Sequence, residues 1–250
     1  MRENGAGMDA KERMILALDV GSFEEARELV TQFKDHVGMF KVGKQLFTLC
    51  GTRIVGFIKR RHAKVFLDLK YHDIPNTVSK AAIEATKLGV DMFNVHASGG
   101  LAMMSETRTA VYETAEKLGC RRPTIVAVTV LTSIDDAELK RMGLGVSAEE
   151  LTRRLALLTK EAGLDGVVAS GLEIELIREL CGRAFVIVTP GVRITATKDD
   201  QKRTIGPADA ILKGATYIVL GRTVLSAKKP KETLAQVEEQ IRDALSGQQE

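Results

Sequence analysis

Cysteine is scarce in this chain: Cys50, Cys120 and Cys181 are the three in 250 residues, an odd number set far apart. That argues against a disulfide framework and suits reduced thiols in a cytosol. No Cys-x-x-Cys pair and no Cys/His cluster occurs, so no metal site is expected. No apolar run approaches the roughly 18 residues that a membrane-crossing helix needs. The polar, glycine-containing stretch 1–13 lacks the apolar centre of a signal peptide, so a cytoplasmic location is expected. Neither Gly-x-Gly-x-x-Gly nor Gly-x4-Gly-Lys-Ser/Thr follows any apolar run, so the phosphate loops of dinucleotide and nucleoside-triphosphate folds are missing. The 36 basic and 33 acidic residues are interspersed to a net charge of +3. Without a basic block there is no footprint for nucleic acid.

What is present is a core-forming pattern. Hydrophobic residues make up 44% of the sequence with no low-complexity interruption, enough to bury a sizeable core. Eight short apolar runs recur, at residues 14–18, 39–42, 65–69, 92–95, 125–130, 166–169, 185–188 and 217–220. Rich in β-branched residues and without polar alternation, they read as parallel strands covered on both faces. Amphipathic stretches separate most of them. Ser22 with Glu25, and Ser147 with Glu150, have the spacing of helix-starting capping boxes. Gly89, Gly119, Gly163 and Gly214 stand where helices end, each followed by a strand. Eight such βα modules with no composition break predict an α/β fold, a single-domain (β/α)8 TIM barrel over residues 14–250, behind a flexible N-terminal extension at residues 1–13.

A barrel of this kind keeps its chemistry at the C-terminal ends of its strands. The first strand ends in Asp19, the second holds Lys41, and the third carries Asp68 and Lys70 with Asp73 just beyond. Side chains two apart in a strand share a face, so Asp68 and Lys70 are expected to point into the barrel mouth while Leu67 and Leu69 face the helices. Asp73 would bring a third charge within reach of the same ammonium. The bland alternative is a structural ion-pair network, but buried charges cost several kcal/mol each unless paired, and Asp19 and Lys41 enlarge that cost. Function is the better justification.

Gly221-Arg222 closes the eighth run, and barrels often bind phosphate with the loops after strands seven and eight. Arg193, after Thr189-Pro190-Gly191-Val192, offers a second forked donor for phosphate oxygens. Gln201 lies in the long loop that follows.

Asp68-Leu69-Lys70-Tyr71-His72-Asp73-Ile74-Pro75-Asn76-Thr77-Val78 closely resembles the signature of the orotidine 5′-phosphate decarboxylase family, D-x-K-x-x-D-I-P-x-T. The resemblance extends in order through Leu16-Ala17-Leu18-Asp19, Lys41-Val42-Gly43, Asn94-Val95-His96-Ala97, Val130-Leu131-Thr132-Ser133, Thr189-Pro190-Gly191-Val192-Arg193 and Val219-Leu220-Gly221-Arg222. It implies a cofactor-free decarboxylase of orotidine 5′-monophosphate in pyrimidine synthesis. Lys70 would protonate C6 as carbon dioxide leaves, flanked by Asp68 and Asp73. By the same resemblance Asp19 and Lys41 hold the ribose hydroxyls, Thr132 the pyrimidine edge, and Arg193, Gln201, Gly221 and Arg222 the phosphate. Asp73, Ile74 and Thr77 would serve the neighbouring subunit's site in an obligatory homodimer. The loop after the seventh strand would act as a lid, although Ile194-Thr195-Ala196-Thr197-Lys198 lacks the family's usual proline after Arg193.

Two other readings remain open on sequence. A magnesium-dependent sugar-phosphate enzyme of the same superfamily would need a carboxylate metal ligand on the second strand, where this chain has Lys41. A non-catalytic phosphate-ligand sensor would be expected to lose the charged centre that Asp68, Lys70 and Asp73 preserve. His96 reads as a hydrogen-bonding neighbour of the site. Phe47, Met103 and Met104 read as packing.

Overall fold

The computed structural model describes residues 7–194 and 205–247. Among these residues eight parallel strands close into one barrel in sequence order: β1 (Met14–Ala17), β2 (Met39–Gly43), β3 (Val65–Tyr71), β4 (Met92–His96), β5 (Thr124–Val128), β6 (Gly166–Val168), β7 (Val186–Thr189) and β8 (Tyr217–Leu220). Helices cover the outside, among them Phe23–Phe33 after β1, Pro75–Lys87 after β3, Gly100–Leu118 after β4, Ala148–Glu161 after β5 and Pro230–Ser246 after β8. No described helix is long and apolar enough to cross a membrane.

Local chemistry sets these boundaries. Ser22 Oγ accepts the Glu25 N–H at 3.1 Å and Ser147 Oγ accepts that of Glu150 at 3.1 Å, so both expected helix starts are capped. The reciprocal half of the capping box differs: Glu25 reaches past its own cap to the Gly21 N–H, and Glu150 pairs with Arg154. Gly119 ends its helix in the left-handed conformation at φ 61°, which a Cβ would strain. Gly166 answers a different need, because a Cβ there would meet the Val186 carbonyl at 2.0 Å, where β6 and β7 approach.

Two apolar layers result. Ile15, Ala17, Met39, Phe66, Met92, Val126, Val186, Val188 and Val219 fill the barrel interior, and a larger shell packs strands against helices. Met103 and Met104 are fully buried in that shell. The ordered unit begins before Met14. Lys11–Arg13 form a 3-10 turn, Ala10 is buried in the core, and a Cβ on Gly38 would overlap the Glu12 main chain. Residues 10–13 thus pack at the base of the barrel; residues 1–6 of the expected extension lie outside the described residues.

One strand departs from regular geometry. β3 advances from Leu67 to Tyr71 while its neighbour β4 advances only from Phe93 to Val95, a register shift centred on Asp68, Leu69 and Lys70. Lys70 takes φ 53°, a left-handed conformation that is rare for a side-chain-bearing residue. Simple alternation therefore does not describe how Asp68 and Lys70 come to face the same space. A bulge aims the lysine there.

Candidate active site

On seven strands the uppermost interior position, followed two residues toward the strand's C-terminal end, arrives at the barrel mouth. Ala17 leads to Asp19, Met39 to Lys41, Phe66 to Asp68, Met92 to Asn94, Val126 to Val128, Val188 to Pro190 and Val219 to Gly221. The interior face that is apolar at the bottom becomes charged at the top. There it opens into a cleft of about 260 Å³, near the lower end of the roughly 300–1,000 Å³ typical of small-molecule sites. The cleft lining includes Asp19, Lys41, Asp68, Lys70, Thr132, Arg193, Gly221 and Arg222.

Four of these charges form an alternating line. Lys41 Nζ lies 3.1 Å from Asp19 Oδ1 and 3.1 Å from Asp68 Oδ2, and the other oxygen of Asp68 meets Lys70 Nζ at 2.5 Å. Exposure falls along the line from the Asp19 side chain, 56% exposed, to those of Lys41 and Asp68, at 12% and 11%. Burial alone would push the Asp68 carboxyl up. Lys41 and Lys70, with hydrogen bonds from Lys70 and Asn94, outweigh it and hold the group below its ordinary value. Burial likewise works against the Lys41 ammonium, but Asp68 and Asp19 reverse the sign and leave it raised. Gly43 makes room for this pairing, since a Cβ there would stand 3.1 Å from Lys41 Nζ and 3.4 Å from Asp19 Oδ1.

The cleft lining also holds two arginines, from the segments that follow β7 and β8. Arg193, only 9% exposed, donates through Nη1 to the Val192 carbonyl at 3.3 Å and to Thr223 Oγ1 at 3.2 Å. Thr223 in turn donates to the Val192 carbonyl at 3.0 Å, so this threonine braces the arginine. Arg222 opens the short helix Arg222–Leu225. Val128, Val130, Leu131, Val168, Ala169 and Pro190 add an apolar part to the lining. Val130 packs with Leu139 and Ala148 in a small cluster that anchors the loop carrying Thr132. Four cations against two carboxylates suit a small anion with a polar middle.

The remaining sequence candidates lie elsewhere. Asp73, Ile74 and Thr77 are exposed and outside this chain's own cleft. Asp73 Oδ1 accepts from the Ile74 N–H at 2.7 Å, and Ile74 is 65% exposed. The charges that converge within one chain are therefore Asp19, Lys41, Asp68 and Lys70, not a trio with Asp73. Gln201 and most of the expected lid lie outside the described residues. His96 stacks obliquely on His72 at 5.3 Å between ring centroids. Burial, reinforced by the charges of His72, Lys70 and Lys44, pushes its imidazole down to about 4. Among the described residues no group of three or more His, Cys, Asp or Glu could hold a metal ion.

Sequence reasoning assigned no role to Asn94, Gly43 or Thr223. Asn94 carried a usable signal: it is the one polar residue inside the apolar run 92–95, and a buried amide must find partners. The other two carried none, because their parts depend on what neighbouring strands bring beside them.

Comparison with known proteins agrees with this geometry. A family model described as Orotidine 5'-phosphate decarboxylase / HUMPS family matches residues 12–237. A Pelobacter propionicus protein named orotidine 5'-phosphate decarboxylase is 48% identical over 234 residues, covering 93% of this chain and 96% of its own. One of the same name from Moorella thermoacetica is 50% identical over 225 residues, 89% of each. The crystal structure of orotidine 5'-phosphate decarboxylase from Lactobacillus acidophilus superimposes with a TM-score of 0.81 at 33% identity, covering 91% of this chain and 98% of that one. Since the match spans all eight described strands, the chain belongs to the orotidine 5'-phosphate decarboxylase / HUMPS family.

Proposed function

We propose that this protein decarboxylates orotidine 5′-monophosphate to uridine 5′-monophosphate and carbon dioxide, the closing step of de novo pyrimidine nucleotide synthesis. The observation that carries the reading is the alternating Asp19, Lys41, Asp68 and Lys70 line sharing one small cleft with Arg193 and Arg222. A nucleotide monophosphate, an anion with a polar middle, suits that lining.

In the reaction, the bond from C6 to the carboxylate breaks, carbon dioxide departs, and the electron pair stays on C6. Lys70 Nζ gives C6 its proton and regains one from solvent. A fixed ammonium beside C6 is favoured increasingly as charge moves onto carbon, which is the differential stabilisation catalysis requires. Asp68 holds that ammonium in place and, through its second oxygen, ties it to Lys41. Asp19 and Lys41 bind the ribose hydroxyls and Thr132 the pyrimidine edge. Arg193, Gln201, Gly221 and Arg222 bind the phosphate. Lys41 also favours this reading over magnesium-dependent sugar-phosphate chemistry, because its ammonium occupies the space where a metal ligand would be required.

The working unit is a homodimer in which Asp73, Ile74 and Thr77 complete the partner's cleft. Their exposure outside their own cleft supports this, as do the exposed Met142, Leu144 and Leu172 on the segments after β5 and β6. The free thiols of Cys50, Cys120 and Cys181 support a reducing, cytoplasmic setting.

The test follows loss of the orotate chromophore when purified protein meets orotidine 5′-monophosphate in chelator-treated buffer, with Lys70→Ala alongside. Turnover by the wild type and none by the variant is the expected result. No turnover, or turnover only with magnesium and a sugar phosphate, would overturn the reading.

A further inference from the structure

We propose that Asn94 is a positioning residue for the decarboxylation, its carboxamide holding the bulged segment of β3 in the arrangement that presents Lys70 and Asp68 to the cleft. The proposal rests on the reading of Lys70 as the proton donor.

Asn94 is fully buried in the middle of β4, among Met92, Phe93 and Val95. A buried amide is costly unless both its ends are hydrogen-bonded. Here both are. Oδ1 accepts from the Lys70 main-chain N–H at 2.8 Å, and Nδ2 donates to Asp68 Oδ1 at 2.7 Å. The orientation is forced, since an N–H can only donate and a carboxylate can only accept.

The two bonds address two specific problems. The register shift between β3 and β4 removes Lys70 from the regular ladder, so its N–H needs another acceptor. The left-handed backbone at Lys70 is unfavourable for a lysine and persists only where the surroundings over-determine it. The Asn94 carbonyl oxygen supplies that acceptor. Asp68 has a related difficulty: Oδ2 is committed to Lys41, and rotation of the carboxylate would detach Oδ1 from Lys70. The Asn94 amide pins Oδ1 in place. One side chain therefore fixes both the backbone that aims the ammonium and the carboxylate that holds it. A leucine of similar size offers neither bond, and an aspartate offers only an acceptor.

Electrostatic catalysis depends on charges fixed before the reaction, so loosening them is expected to slow the chemical step more than it weakens nucleotide binding. Asn94→Leu and Asn94→Asp are compared with wild type and Lys70→Ala for kcat on orotidine 5′-monophosphate and for Kd of uridine 5′-monophosphate. Both Asn94 variants are expected to lose about 10- to 100-fold in kcat, the worth of a hydrogen bond to a charged group, while binding the product within about threefold of wild type. Asn94→Asp, nearly identical in volume, carries the test should Asn94→Leu fail to fold. Wild-type kcat in the folded Asn94 variants, beside an inactive Lys70→Ala, would overturn the proposal alone. A loss of product affinity equal to the loss of kcat would also overturn it, as general damage to the cleft. An inactive wild type, or a fully active Lys70→Ala, would instead remove the reading of Lys70 on which it stands.

Discussion

Lys41 Nζ lies 3.1 Å from Asp68 Oδ2 although the two are not register partners, since β2 sets Gly43, not Lys41, beside Asp68. The lysine reaches along its strand to a carboxylate one layer higher, over a glycine that leaves the path clear. Because both side chains are nearly buried, removing either charge leaves the other with a single ionic partner, Lys70 for Asp68 or Asp19 for Lys41. Lys41→Met and Asp68→Asn are each expected to cost about 3 kcal/mol in urea unfolding, with the double variant recovering about 1–3 kcal/mol of the summed loss. Strict additivity would mean that the line of charges is not energetically connected.

Arg193 and Arg222 are expected to behave differently although both line the cleft. Arg193 is buried and braced by Thr223, whereas Arg222 is exposed. Arg222→Ala should lower kcat/KM for orotidine 5′-monophosphate about 10- to 100-fold, leave turnover of phosphate-free orotidine unchanged, and leave Tm near that of wild type. Arg193→Ala should lower Tm as well. Equal losses on the nucleotide and the nucleoside by Arg222→Ala would contradict a phosphate contact.

Much of this was legible in the sequence. The eight apolar runs coincide with the eight strands to within one or two residues at each end, because strands covered on both faces need continuous apolar side chains. Asp19, Lys41 and Arg222 were legible because a charge that closes such a run must lie at the barrel mouth. The third strand was only half legible. Alternation puts Asp68 and Lys70 on one face, but the register shift and the left-handed backbone at Lys70 depend on the fit between β3 and β4, which no single strand's pattern encodes. For the same reason the role of Asn94, a cross-strand contact, could not be assigned beforehand. The base of the barrel was not legible: residues 7–13 have polar composition, yet Ala10 is buried and the turn at Lys11–Arg13 packs against Gly38.

His96 sets an acid limit on stability. Burial, His72 and the nearby lysines push its imidazole from 6.5 down to about 4. Between those values the unfolded chain takes up a proton that the native state refuses, so stability falls as pH falls from 6.5 toward 4. Partial exposure of His96 moderates the effect. Asp68 acts lower: its depressed carboxyl contributes stability above its ordinary 3.8, which is lost as pH drops through the lowered native value. Thermal unfolding between pH 7 and 4 should therefore show Tm declining with pH, more shallowly in His96→Asn. Identical slopes for the two proteins would remove His96 as the cause.

A last prediction concerns Asp73, which is exposed, lies outside the lining of its own cleft and bonds only locally among the described contacts. If its carboxylate works in a partner's cleft, Asp73→Ala and Lys70→Ala homodimers should both be inactive, yet mixing them should restore activity. In a hybrid dimer one cleft draws Lys70 and Asp73 from the two different variants and carries both defects. The other draws both intact residues, so random exchange of subunits should recover about one quarter of the wild-type sites. Exchange can be driven by brief, reversible dissociation in dilute denaturant and followed by the orotate chromophore. Should the mixture stay as inactive as its components while mass analysis shows hybrids present, Asp73 serves its own chain and the shared-site reading falls.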